Sequence, residues 1–120
     1  MGITIKITIA FISILHLYFL WFEMFAWTSR GPKIFRKFPK DLFSQTKSMA
    51  ANQGLYNGFL AAGLLWTFFI DNTDWITNIS LFFLGCVAIA GIYGAFTVSK
   101  KIFFIQALPA ILAIILIILS

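Results

Sequence analysis

The chain has 120 residues, 61% of them hydrophobic and only 11% charged, with a formal net charge of +5 and one cysteine. A soluble domain of this length keeps much of its chain in contact with water, so this composition excludes an ordinary soluble fold and predicts a membrane protein. The cations cluster in one stretch, which indicates membrane topology rather than nucleic-acid binding, and a single cysteine excludes an intrachain disulfide framework.

Four apolar stretches are each long enough for a transmembrane helix, which needs about 20 residues. The predicted spans, in chain order, are residues 7–27, 49–70, 75–98 and 102–119. The predicted fold is therefore all-α. Residues 1–120 would form a single domain, a four-helix transmembrane bundle of a polytopic membrane protein.

The connections between these spans differ in charge. Residues 28–48 carry six cations and one acid, residues 71–74 carry two acids, and residues 99–101 carry two lysines. Cation-rich connections stay in the cytoplasm, so the first and third are predicted inside, the second outside, and both termini outside. A basic cytoplasmic loop of this kind predicts membrane lipid as a partner.

Local signals refine the connections. Pro32 and Pro39 are predicted to prevent one continuous helix in the basic loop. Residues 40–48 are predicted to form a short interfacial helix with Phe43 in the membrane. Asp74 is predicted to cap the start of the third span.

Glu23 is the lone carboxylate of the predicted first span, and His16 is its only basic residue. An acid costs about 2–4 kcal/mol at mid-bilayer and less near a helix end, so Glu23 is a candidate functional residue. His16 lies on nearly the same helical face, roughly 10 Å away along the axis. Glu23 and His16 are therefore candidate acid/base groups, or two stations of one proton path.

The second span combines a polar stripe with a stripe of small residues. Gly54 and Gly58 are one helical turn apart, which lets another helix backbone approach closely. The polar residues share an arc of about 140° beside these glycines: Asn52, Gln53, Tyr56 and Asn57.

Polar side chains of all four spans fall at a similar predicted depth in the cytoplasmic half. Pro109 removes one backbone hydrogen bond near Gln106 and predicts a kink in the fourth span. We therefore predict a polar pocket that opens toward the cytoplasm and binds a small polar or amphipathic molecule. The predicted ligand-binding residues are Glu23, Asn52, Gln53, Tyr56, Asn57, Tyr93 and Gln106.

Three functions remain open for such a pocket. Ligand binding extends to transport across the membrane, for which a homo-oligomer of two chains is one way to complete a path. The alternative is an enzyme acting on a lipophilic substrate, with Glu23 or His16 as acid/base and Tyr56 or Tyr93 as phenolic donor. The third is a structural subunit whose polar residues only join helices. No metal, nucleotide, haem or flavin motif is present, so no metal and no cofactor is predicted.

Several stretches resemble one known family, the small bacterial integral membrane proteins grouped as domain of unknown function 1304. The most specific is the block Ala51-Asn-Gln-Gly-Leu-Tyr-Asn-Gly-Phe59. The resemblance implies a multi-pass, four-helix protein of the bacterial inner membrane with no assigned activity. The stretches that carry it are residues 16–19, 23–28, 47–63, 85–86, 90–95 and 106–110.

Overall fold

The computed structural model describes residues 1–120 and consists of helices joined by short connections, with no β-strand. The predicted all-α class is confirmed. A 3-10 turn, Thr67–Phe69, and a π-helical turn, Phe103–Ala107, accompany the longer helices. The α-helices are α1 (Ile3–Phe25), α2 (Trp27–Ile34), α3 (Lys40–Gln45), α4 (Lys47–Trp66), α5 (Thr73–Thr97) and α6 (Leu108–Leu119).

Two of these helices, α1 and α5, are long and apolar enough to cross a membrane. They have 23 and 25 residues, which makes them about 34 and 38 Å long against a hydrocarbon core of about 30 Å. Only 28% of the most apolar stretch of each is buried. The segment Phe103–Leu119 is also apolar but shorter.

The chain forms two compact units. The apolar unit contains residues 1–14 and 60–120, and the basic unit contains residues 15–59. Both α1 and α4 contribute one end to each unit, because the division falls within these two helices.

The core of the apolar unit is built from aliphatic and small side chains of four helices. Small residues bring the backbones together: a Cβ at Gly91 of α5 would lie 2.5 Å from the backbone nitrogen of Ala107. Gly85, on the same helix, has no neighbouring atom within 4 Å of the position its Cβ would take. Of these two glycines of α5, only Gly91 lies at a close contact between backbones. The buried core residues are Ile5, Ile9, Ile12, Leu64, Leu84, Val87, Ala88, Ala110, Ala113 and Ile117.

Pro109 changes the helix that precedes it. Proline has no backbone N–H, so the carbonyl four residues earlier loses its α-helical donor. The chain adopts a π-helical turn at Phe103–Ala107, in which the backbone N–H of Leu108 donates to the carbonyl of Phe103 five residues earlier. The irregularity predicted from Pro109 is thus a widened turn, and Ala107 at its end is the residue that faces Gly91.

The N-cap of α5 is Asn72, not Asp74. The Asn72 Oδ1 atom accepts a hydrogen bond from the backbone N–H of Trp75 at 3.0 Å. The prediction of Asp74 was wrong because the helix begins at Thr73, which places Asp74 in its first turn. An acid there still stabilises the positive end of the helix dipole.

The basic unit turns the predicted loop 28–48 into two short helices, α2 and α3. Pro32 lies inside α2, and the backbone leaves the helix at Phe35. Phe43 of α3 is 1% exposed, so its predicted position in the membrane was wrong. Its ring lies against Gly31, where any Cβ would clash with it, and against Trp27, at 5.1 Å between ring centroids. Aromatic packing within the protein therefore takes Phe43 away from lipid.

Candidate functional site

The candidate site lies in the basic unit, where the end of α1 meets α4. Glycine makes this approach close: a Cβ at Gly54 would lie 3.1 Å from the carbonyl oxygen of Leu20 and 3.0 Å from the Cβ of Glu23. One turn further along α4, a Cβ at Gly58 would lie 2.5 Å from Leu20 Cδ1. The two glycines therefore set α4 directly against the turn of α1 that carries Glu23.

Asn57 is the partner of the Glu23 carboxylate. Its Nδ2 atom donates a hydrogen bond to Glu23 Oε1 at 2.6 Å, and both side chains are partly buried. The contact uses one carboxylate oxygen, and Oε2 is left for another donor. Because an amide is neutral, the pair leaves a negative charge on Glu23 uncompensated when the acid is ionised.

His16 lies two helical turns before Glu23 on α1. Its side chain is fully buried. The imidazole meets the ring of Phe19 edge-on, with centroids 5.1 Å apart and an interplanar angle of 70°. The rise of an α-helix separates His16 and Glu23 by roughly 10 Å, so the two do not act on the same atom.

The other polar residues of α4 point away from this contact. Asn52, Gln53 and Tyr56 are exposed, and Tyr56 is 60% exposed. The position of each residue around the helix explains this difference, because the glycine face of α4 is turned toward α1. Only Asn57, about 60° from Gly54 around the helix, is near enough to reach α1. Asn52 and Tyr56 lie about 160° from Gly54, on the opposite side of α4. Of these four predicted residues, Asn57 is the one that hydrogen-bonds Glu23.

Tyr93 and Gln106 belong to the apolar unit. Tyr93 of α5 is 70% exposed. Gln106 is partly buried within the π-helical turn that Pro109 induces. No group of three or more His, Cys, Asp or Glu side chains is arranged to hold a metal ion.

The basic unit contains an aromatic cluster that the sequence pattern did not predict. Trp27 donates its indole N–H to Thr46 Oγ1 at 3.0 Å, and that hydroxyl donates to the Leu42 carbonyl at 2.7 Å. This links the start of α2 to the end of α3. The only signal in the sequence is the recurrence of aromatic residues among the cations of a stretch that charge alone marks as a loop. The rings in contact are Phe22, Trp27, Phe35, Phe38 and Phe43.

Fold and site together define a small, all-helical protein with two membrane-length helices and a single acid paired to an amide at a glycine-mediated helix contact. The chain belongs to the family described as "Protein of unknown function (DUF1304)", whose model matches residues 10–118. The uncharacterized protein YpaA of Lactococcus lactis subsp. lactis is 33% identical over 101 residues, a match that covers 82% of each chain. No solved structure matches the chain significantly.

Proposed function

We propose that the chain is a multi-pass membrane protein that binds a small amphipathic cation through Glu23 and Asn57. The four apolar helical segments span the bacterial inner membrane as a bundle, with both termini outside and residues 28–48 in the cytoplasm. Glu23 neutralises the charge of the ligand, and apolar residues around it accept the rest of the molecule. Transport of the bound ligand is one use of this site.

The exposure of the apolar helices supports the membrane part of the proposal. In α1 and α5, 28% of the most apolar stretch is buried. A core helix of a soluble protein has most of its apolar surface covered by protein, whereas a lipid-facing helix leaves it uncovered. Exposed side chains such as Phe11 at 55% and Phe82 at 65% are costly in water and favourable in lipid.

One observation carries the binding part: the Glu23 carboxylate is paired with the neutral amide of Asn57 rather than with a cation. A partly buried charge without a counter-charge is expensive, and a purely structural acid is usually paired. An ammonium group at Oε2 would supply both the missing charge and a hydrogen-bond donor. A primary ammonium on an alkyl chain is therefore the ligand chemistry that fits this site best.

Binding of octylammonium tests the proposal. The full-length protein in dodecylmaltoside micelles is titrated with octylammonium chloride or with octanol, and the heat of binding is measured by calorimetry. The two probes share the alkyl chain and differ in charge, so the difference between them isolates the polar head. We expect octylammonium to bind about tenfold or more tightly than octanol.

Matched variants locate the site. Glu23→Gln keeps the shape and a carbonyl oxygen for Asn57 but removes the charge, and it should abolish the preference for octylammonium. Asn78→Leu removes an amide at an exposed position of α5, away from the site. This variant should keep the preference for octylammonium. Equal binding of both probes to the unmodified protein, or an unchanged preference in Glu23→Gln, would refute the proposal.

A further inference from the structure

The basic segment, residues 27–48, is folded and carries its charged side chains on the surface. It has six cations and a single acid, Asp41, and all seven are exposed. Arg30 lies over the Trp21 ring at 5.8 Å from its centroid, and Arg36 Nε donates to the Lys33 carbonyl at 3.4 Å. The exposed cations are Arg30, Lys33, Arg36, Lys37, Lys40 and Lys47.

The aromatic cluster forms a packed core beneath this charged surface. Phe38 and Phe43 pack with ring centroids 4.8 Å apart, and the Trp27–Thr46 hydrogen bond links the ends of the segment. Gly31 is buried, and the Phe43 ring lies against it. These contacts hold in place the two short helices and the connection between them, where most of the cations lie.

Apolar side chains are exposed between the cations. Ile34 is 50% exposed and Phe35 is 42% exposed, and Lys33 precedes them while Arg36 and Lys37 follow. Cations beside exposed aromatic and aliphatic groups are the pattern of a surface that lies in the headgroup region of a membrane. The cations meet phosphate, and the apolar groups enter the boundary with the acyl chains.

We propose that the basic segment is a binding surface for anionic phospholipid of the membrane in which the chain lies. Phosphate groups of the lipid contact Lys33, Arg36 and Lys37, and Ile34 and Phe35 sit at the level of the glycerol backbone. This goes beyond the ligand site: it rests on the membrane location proposed above but uses neither Glu23 nor Asn57.

Lipid-dependent thermal stability tests the inference on the full-length protein. The protein in dodecylmaltoside is titrated with dioleoyl phosphatidylglycerol, with dioleoyl phosphatidylcholine or with inorganic phosphate, and its melting temperature is followed. We expect half-maximal stabilisation at a phosphatidylglycerol concentration about tenfold or more below that of phosphatidylcholine. Inorganic phosphate should have no effect, because it lacks the acyl chains.

Two pairs of substitutions distinguish a specific surface from diffuse attraction. Arg36→Gln with Lys37→Gln should reduce the preference for phosphatidylglycerol about tenfold. Lys100→Gln with Lys101→Gln removes the same charge from another exposed pair of neighbours and should leave the preference intact. An equal loss in both double variants, or no preference in the unmodified protein, overturns the inference.

A variant that changes no charge tests the role of the aromatic cluster. Gly31→Ala places a methyl group against the Phe43 ring without changing any cation, and it should weaken the preference for phosphatidylglycerol. A preference unchanged in Gly31→Ala would show that loose charge suffices and would overturn the folded surface. Glu23→Gln should keep the lipid preference, so failure here is distinct from failure of the ligand site.

Discussion

Replacing Gly91 by alanine is expected to push α5 away from the π-helical turn. The new Cβ would lie 2.5 Å from the Ala107 nitrogen and 2.8 Å from both its Cα and its Cβ. Two of these three atoms belong to the backbone, so no rotation of a side chain can relieve the clash. The two segments must separate along the line that joins them.

The size of the effect follows from that geometry. Ordinary contact begins near 3.4 Å, so the Ala107 nitrogen must move by about 0.9 Å. A gap of that size forfeits a quarter to a half of the dispersion energy of the atoms beside it. Overpacking typically costs about 1–3 kcal/mol, and a rigid backbone neighbour places Gly91→Ala at about 2–3 kcal/mol.

Gly85→Ala is the matched control, since it adds the same methyl group to the same helix where nothing lies within 4 Å. It should change the free energy of unfolding by less than about 1 kcal/mol, in the direction of greater stability. The assay is unfolding of the full-length protein in dodecylmaltoside by added dodecyl sulfate, followed by circular dichroism. If the two variants unfold at the same detergent fraction, the close approach of α5 to Ala107 is refuted.

Further variants probe the helix cap and the polar pair. Asn72→Ala removes the acceptor for the Trp75 N–H and should lower the free energy of unfolding by about 1 kcal/mol. Asp74→Ala should cost less, and faster amide exchange of Trp75 in Asn72→Ala alone would verify the cap. Asn57→Leu leaves Glu23 without its donor and should cost about 1–3 kcal/mol. In a double-mutant cycle, Glu23→Leu and Asn57→Leu should be non-additive, because each removes one partner of the hydrogen bond, and strict additivity would contradict a direct bond.

The helical class could be predicted because long apolar runs with few breakers leave few alternatives to helices. The ends of individual helices were harder to predict. Asn72 and Asp74 are equally good N-caps, so only the true first residue of the helix decides between them. Helix ends carry an uncertainty of a residue or two in any pattern, and that was enough to select the wrong cap.

The candidate site shows where periodicity reaches its limit. Helical spacing placed Asn57 beside the glycine face of α4, but it did not say which edge of the polar arc turns toward α1. That choice depends on the Leu20 carbonyl fitting against Gly54, a contact between distant parts of the chain. The same holds for Phe43, because the charge of its neighbours predicts a loop whereas ring packing against Trp27 builds a folded unit.

The π-helical turn has one more residue than the α-helical turn it replaces, and the wider turn accommodates that residue locally. In a helix that stayed α-helical throughout, one added residue would rotate every later side chain by about 100°. Because the widening is local, a chain that lacked this residue could form a regular α-helical turn and keep Ala107, Ala110 and Ala113 on the faces they now occupy. One-residue differences in length are therefore tolerated at this turn, whereas the same change within α6 would turn its core residues out of register.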